Sequence, residues 1–312
     1  MNDKELSEGP ELWELENRSD EYGGKRLKEK KDVSLSRKAS VWMILSNGDL
    51  SPAWGSVESL TAGIYDVFKD NNGNLLFRAV GIDTVGLFEF TGSTADAILK
   101  EVEDFWRSEA KYKKLQYPYK RGIILHGKPG CGKTVTVKLI SKEIIERNGI
   151  VIHSEDIIAI AESLDALEEI EPKRPVVVIL EEIDMIISKY GKVLTELLDG
   201  VKARKKNVLF VATTNSLSDL PDRIKDRPSR FDTIAKIATP TEEARYEYTY
   251  HITKNKKFPT EVAKKTDGLT FAHLKEVVIG CKVFNKDLDT SVKKFEKQEE
   301  VGFKKPKEKA GF

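Results

Sequence analysis

A short glycine-rich stretch, Gly127-Lys128-Pro129-Gly130-Cys131-Gly132-Lys133-Thr134, separates an apolar run from a helically patterned one. Before it, Gly122-Ile123-Ile124-Leu125-His126 reads as a buried strand. After it, Val135 to Arg147 carries Val137, Ile140, Ile144 and Ile145 at helical spacing. The octapeptide fits G-x-x-x-x-G-K-[S/T], a pattern that glycine usage of about 7% produces by chance in roughly one chain per hundred of this length. The flanking strand and helix therefore matter as much as the match. In that order, the glycines let backbone N–H groups turn inward on phosphate oxygens, and the helix N-terminus adds a partial positive charge. Lys133 would then reach the β- and γ-phosphates, and the Thr134 hydroxyl would hold Mg²⁺. The plainer alternative is a strand-to-helix turn that binds nothing.

A chain of 312 residues with 39% hydrophobic content can build one large core and a smaller satellite. Charged residues make up 33%, yet the formal net charge is +1, so there is no general drive toward nucleic acid or anionic membrane. Of the two cysteines, Cys131 lies inside the glycine loop, where a disulfide would obstruct a ligand. A reducing compartment is the simpler expectation. No apolar run approaches the ~18 residues of a membrane span, and the N-terminus has no signal-peptide core. A soluble, cytoplasmic protein is expected.

Along the chain, residues 1–38 are dominated by charge and read as a flexible arm. Residues 39–90 read as a small β-rich domain: Val41 to Leu45 ends at Asn47-Gly48, Ile64–Phe68 and Leu75–Val80 flank the turn Asp70–Asn74, and Val85–Phe90 is one more strand. Thr94 to Tyr112 has helical spacing at Ile98, Val102, Phe105 and Trp106. Short strands are expected at Ile150–Ile152, Val176–Leu180, Val208–Ala212 and Ile234–Ala238, with helices at Ser154–Glu169 and Val193–Val201. Strands alternating with helices imply a parallel sheet covered on both faces. The fold class is thus α/β: a P-loop NTPase sheet over 91–239, a C-terminal helical lid over 240–292, a β-rich N-terminal domain, and a Lys-rich tail over 293–312.

A phosphate loop alone only binds nucleotide; hydrolysis needs carboxylates at a neighbouring strand end. Leu180-Glu181-Glu182-Ile183-Asp184 supplies them directly after an apolar run. Successive residues there point in different directions, so Glu181 is assigned to the metal, through a water, and Glu182 to the base that activates the nucleophilic water. Asn215, after the Val208 strand, could hydrogen-bond the attacking water and the γ-phosphate. Asp226-Arg227-Pro228-Ser229-Arg230-Phe231-Asp232 places two arginines in one loop. They either pair with the flanking aspartates or serve as fingers presented to a neighbouring subunit's γ-phosphate.

In this order and spacing, the constellation resembles the AAA family of ATPases from about Gly86 to Phe284. The resemblance reads Gly127–Thr134 as Walker A, Val176–Asp184 as Walker B, Thr213-Thr214-Asn215 as sensor 1, and Arg227 with Arg230 as the finger pair. It implies ATP and Mg²⁺ as cofactors, bound by Gly127, Lys128, Pro129, Gly130, Cys131, Gly132, Lys133, Thr134 and Val135. Thr91 and Gly92 would lie beside the adenine. Gly268–Leu274 is similar to the family's lid segment near the base, with Phe271 where a glycine is usual. His251 stands one residue from a family position that touches base or ribose. Tyr117-Pro118-Tyr119-Lys120-Arg121-Gly122 and Glu181 look like the branch of the mitochondrial translocase that exports the folded Rieske protein, and its bacterial relatives. That translocase has a membrane span, and this sequence shows none.

The resemblance implies a homo-oligomer, expected to be a hexamer, that remodels or moves a protein partner. The segment Ser154–Ser163 holds no Trp, Tyr or Phe, which speaks against an aromatic grip on an extended polypeptide; Ile157, Ile158 and Ile160 read as a helix core face. No His-Glu-x-x-His sequence is present. The alternative is a motor or loader on DNA or RNA, motivated by Lys25–Lys31, Lys202–Lys206 and Lys293–Lys309, and it predicts steep loss of DNA binding with salt. A third reading, a nucleotide-gated scaffold with little turnover, is opposed by Glu182.

Overall fold

A computed structural model describes residues 41–44, 50–53, 57–81, 94–200, 207–227 and 229–302, the side chains of 41–53 and 296–302 excepted. Residues up to Val57 form one unit and those from Glu58 a second. In the first, β1 (Val41–Ile44) pairs antiparallel with β2 (Leu50–Ala53).

The second unit is built on seven strands: β3 (Gly63–Lys69), β4 (Leu75–Val80), β5 (Lys120–His126), β6 (Ile150–His153), β7 (Val176–Leu180), β8 (Val208–Thr214) and β9 (Thr233–Lys236). Their order across the sheet is β4-β3-β6-β7-β8-β5-β9. All neighbours run parallel except β3 and β4. The apolar runs explain the placement. Every residue of β7 and of β8 is buried, as befits strands covered on both faces.

Successive side chains point to opposite faces. Ile123, Leu125, Val177, Ile179 and Val211 pack with Val102 and Phe105 of α1 (Thr94–Trp106) and Val137, Ile140 and Ile144 of α3 (Lys133–Glu146). Ile124, Val176, Val178, Leu180 and Phe210 pack with Ile157, Ile160 and Leu164 of α4 (Ile157–Ile170) and Ile183 and Leu197 of α5 (Ile183–Leu198). Ile124, Ile140, Ile157 and Leu180 are fully buried, and each such side chain contributes roughly 1.5–3 kcal/mol. The short α2 (Glu109–Lys114) precedes β5, and α6 (Asp222–Lys225) precedes β9. After β9 comes a helical lid, α7 (Glu242–Thr253), α8 (Lys257–Lys265), α9 (Phe271–Lys282) and α10 (Leu288–Gly302), with Leu269, Val277, Val292 and Phe295 at its centre.

Four expectations are corrected. The hairpin assigned to a separate domain over 39–90 instead extends the seven-stranded sheet, because β3 pairs with β6 from Gly63↔Ile150 to Asp66↔His153. Tyr65 and Val67 enter the main core, and the Asp70 carboxylate accepts the N–H groups of Asn72 and Asn74 to close the turn. The helix expected through Tyr112 breaks at Ser108, so that Tyr112 can pack against Phe105 and Tyr119. The helix expected from Val193 begins at Ile183 and kinks at Tyr190, where φ is −128°. Finally, α10 runs through Lys293 to Gly302, so helix replaces the first part of the expected tail. The 1–38 arm, the 85–90 strand and the basic stretches at 25–31 and 202–206 lie outside the described residues. No helix among the described residues is long and apolar enough to cross a membrane.

Candidate active site

Parallel strands deliver their following loops to one edge of the sheet, and the chain reverses its order around β5. A crevice outside the strand ends follows from that reversal. Into it run the glycine loop after β5, Glu181 and Glu182 after β7, Asn215 after β8, and the segment Ile237–Thr241 after β9. The carboxylates lie on the β7 side of β5, and the lid departs from the β9 side.

Three glycines of the loop, Gly127, Gly130 and Gly132, have positive φ, and at the first two a side chain would also collide with its surroundings. Gly127 has φ 153°, and a Cβ there would sit 2.2 Å from the Ile237 carbonyl oxygen. Gly130 has φ 79°, and its Cβ would lie 2.7 Å from that of Ala272. Gly132 caps α3 with no side chain, so the first N–H groups of that helix face the crevice without a capping oxygen. Lys133 Nζ donates to the Gly127 carbonyl (2.6 Å), the Lys128 carbonyl (3.3 Å) and Asn215 Oδ1 (2.8 Å). Burial holds its pKa below the usual lysine value. All three acceptors are neutral, so an incoming phosphate can replace them with a stronger, charge-assisted contact.

Glu181 and Glu182 differ in surroundings. Glu181 Oε2 lies 3.6 Å from His153 Nε2, and the neighbouring imidazole holds its carboxyl below the ordinary range. The same contact raises the His153 pKa. Glu182 has φ 49° and ψ 54°, a left-handed conformation for a residue with a side chain, which costs on the order of 1–3 kcal/mol. Its N–H donates to Thr213 Oγ1 (3.2 Å), while Thr214 Oγ1 donates to Asp184 Oδ1 (3.0 Å). Two hydroxyls at the end of β8 therefore fasten the end of β7 and set Glu182 relative to Asn215.

A cavity of about 1000 Å³ joins these parts; Pro129 to Val135, Glu181, Glu182 and Asn215 all line it. Gly127 is buried beneath the loop, and Lys128 is exposed beside it. The cradle fits a nucleoside triphosphate: open helix N–H groups, a lysine on replaceable oxygens and a cavity of ligand size. Among the described residues, no three His, Cys, Asp or Glu side chains are grouped to hold a metal by themselves. Mg²⁺ held by Thr134, one carboxylate through water, and phosphate oxygens needs no such group.

The two arginines separate. Arg230 is 5% exposed and makes a bidentate pair with Asp199, Nε to Oδ1 at 2.8 Å and Nη2 to Oδ2 at 2.7 Å, while Nη1 donates to the Arg223 carbonyl. Arg227 is 61% exposed and stands 3.6 Å from the same carboxylate. The expectation of two outward fingers is thus corrected to one exposed guanidinium and one anchored, because a single carboxylate takes both of the planar donors of Arg230. Neither arginine lines the cavity of its own chain. Thr91 and Gly92 lie outside the described residues. His251 is exposed on α7 and does not line the cavity. On α4, Ile157 and Ile160 are buried as expected, but Ile158 is 43% exposed.

Sequence reasoning missed His153, the Thr213 and Thr214 hydroxyls as fasteners, and Tyr248 in the cavity wall. A signal existed for His153, a lone imidazole closing the apolar Ile150–Ile152 run. The others depend on which strands become neighbours.

Residues 123–239 match the family model described as "ATPase family associated with various cellular activities (AAA)". The chain is 28% identical over 234 residues to a putative cell division cycle ATPase of Plasmodium falciparum, covering 65% of this chain and 18% of that protein. It is 29% identical over 197 residues to the ATP-dependent zinc metalloprotease FtsH 2 of Thermoanaerobacter, covering 56% and 38%. With the ATPase family gene 2 protein of Schizosaccharomyces pombe it shares 32% over 181 residues, covering 52% and 22%. The chain therefore spans at most 38% of the length of any of these three relatives.

Proposed function

We propose that this chain, whose residues 123–239 match the AAA family model, hydrolyses ATP with Mg²⁺ at a site completed by a second copy, and uses the cycle to remodel or move a protein partner. The observation that carries the reading is the convergence of Lys133, Thr134, Glu181, Glu182 and Asn215 on one cavity from three strand ends.

Each residue has a part. The loop N–H groups and Lys133 bind the phosphates. Thr134, and the Glu181 carboxylate through a water, would hold Mg²⁺, which when bound would offset charge on the β- and γ-phosphates. Glu182 accepts a proton from the attacking water, and Asn215 orients that water. Arg227 is exposed for a neighbouring subunit's γ-phosphate, while Arg230 and Asp199 fix the loop that presents it. The oligomer is proposed to be a closed ring, with six copies as the family expectation. The Tyr117–Gly122 segment and Glu181 support a place near the Rieske-protein translocase branch. Cys131 and Cys281, which form no disulfide, support a reducing compartment such as the cytoplasm.

The test is Mg²⁺-dependent release of inorganic phosphate from ATP by the purified chain, together with equilibrium titration of labelled ATP. Lys133→Ala is expected to abolish both signals. Unchanged ATP binding in that variant would remove the glycine loop from the mechanism.

A further inference from the structure

Lys120, the first residue of β5, is a half-buried cation with no part in the chemistry above. Its Nζ donates to the carbonyl of Leu198, which ends α5 and adjoins Asp199. Burial lowers its pKa, and the carboxylates of Asp199 and then Asp232 act in the opposite sense. Those two carboxylates hold the arginine segment in place. Asp199 takes Arg230, while Asp232 is fastened to β5: its Oδ2 accepts the Gly122 N–H (3.0 Å), and its own N–H donates to the Gly122 carbonyl (2.8 Å). Arg230–Asp232 is thus held against β5 two residues beyond Lys120.

Asp199 therefore faces three cations. Its carboxyl is held below the ordinary range by Arg230 first, then by Arg227 and Lys120. Arg230 takes both oxygens, whereas Arg227 Nη1 reaches Oδ2 alone, at 3.6 Å. A bidentate, charge-assisted pair is the strongest of these contacts. The surplus positive charge bears on the weakest one, that of Arg227, which is 61% exposed. Lys120 is not free to swing away and relieve it, because its ammonium is tied to Leu198 inside the fold, where a charge is screened less than at the surface.

We propose that Lys120 is a positioning residue for Arg227: by sharing the Asp199 charge from within the fold, it keeps that guanidinium loosely held and free to reach the γ-phosphate at a second copy's site. The proposal rests on the shared-site reading above. Without the Lys120 charge, two cations divide one carboxylate, and Arg227 is drawn back onto its own chain. The worth of one exposed ion pair sets the scale of the loss, roughly 2- to 5-fold in turnover. The competing role for Lys120 is to brace the start of β5, and so the glycine loop at the far end of the same strand. The two roles act on opposite sides of a shared site, so they can be told apart.

The experiment uses full-length chains in mixed assemblies. The reference is Arg227→Ala mixed with Glu182→Gln in equal amounts, the first supplying acid groups and the second the guanidinium. Lys120→Met, which keeps the stem and removes the charge, is then placed in one partner at a time. In the Glu182→Gln partner it is expected to lower the recovered phosphate release roughly 2- to 5-fold, with the ATP concentration at half-maximal rate unchanged. In the Arg227→Ala partner it should change nothing. Lys120→Arg in the Glu182→Gln partner should restore the reference rate. Equal loss from either partner, or loss confined to the Arg227→Ala partner, would show that Lys120 only braces β5 and would overturn the proposal. Undiminished recovery in every mixture would do the same. If Lys120→Met melts early, Lys120→Gln, which keeps a donor but no charge, decides the matter in the same mixtures. A reference mixture that recovers nothing, with co-assembly verified by light scattering, overturns the shared-site reading itself, a result distinct from failure of the Lys120 contact.

Discussion

Glu182 is held in a left-handed backbone conformation at the mouth of the cavity, with its N–H fastened to Thr213. Such strain persists only where surrounding structure enforces it, and here it aims a carboxylate at the space beside Asn215. Glu182→Gln keeps the shape and removes the proposed base. It should bind ATP as the wild type does while phosphate release falls about 100-fold or more; near-normal turnover would assign the base elsewhere. The two arginines should part company in the same assays. Arg230→Ala strands the Asp199 carboxylate and should cost on the order of 3 kcal/mol of stability, the lower end for a buried pair because Asp199 is 24% exposed. A thermal melt should show it as a fall of roughly 6–12 °C. Arg227→Ala removes an exposed side chain, so its melt should stay within about 2 °C of wild type, while turnover drops at least about 100-fold. A destabilised Arg227→Ala, or an Arg230→Ala that melts normally, would reverse the assignment.

Among the elements, the β3–β4 hairpin decides where the folding unit begins. Its register with β6, its buried Val67 and the bond from Ser154 Oγ to the Val67 carbonyl (2.6 Å) make it part of the main sheet. The segment ahead of it is held too: Leu60 gives its N–H to Glu171 and receives Arg174 at its carbonyl. A variant beginning at Glu58 should therefore melt cooperatively within a few degrees of the full chain. One beginning at Thr94 bares the β6 edge and should aggregate or lose its cooperative transition; a stable, cooperative fold from Thr94 would return the hairpin to a separate domain. The same element marks the limit of sequence reading. Alternating Tyr65 and Val67 around an Asp70–Asn74 turn announce a half-buried hairpin, but a period of two names no partner strand. By contrast, the fully apolar Val176–Leu180 and Val208–Ala212 runs declare a sheet covered on both faces, and the glycine loop declares its own strand and helix. Carboxylates and Asn215 were legible because each closes such a run. Arg230 was not, because the Asp199 that captures it lies 31 positions away in sequence.

For the whole molecule, the decisive feature is a cavity whose lining, among the described residues, contains acid groups and lysine but no arginine, while Arg227 stands exposed elsewhere. On the proposed function an isolated copy holds an incomplete hydrolytic set, and specific activity should rise with protein concentration as copies associate. Mixing separates this from ordinary self-association. An Arg227→Ala subunit retains the carboxylates, and a Glu182→Gln subunit retains the guanidinium. In a closed ring assembled at random from equal amounts, about one interface in four joins an intact acid side to an intact arginine. Each variant alone should be nearly inactive, and the mixture should recover up to about a quarter of wild-type phosphate release, provided light scattering shows mixed assemblies. Recovery should follow the product of the two fractions as the ratio is varied, peaking at equal amounts. Verified co-assembly with no recovery at any ratio would mean that each copy completes its own site, and the arginine that serves it would then have to be sought within the same chain.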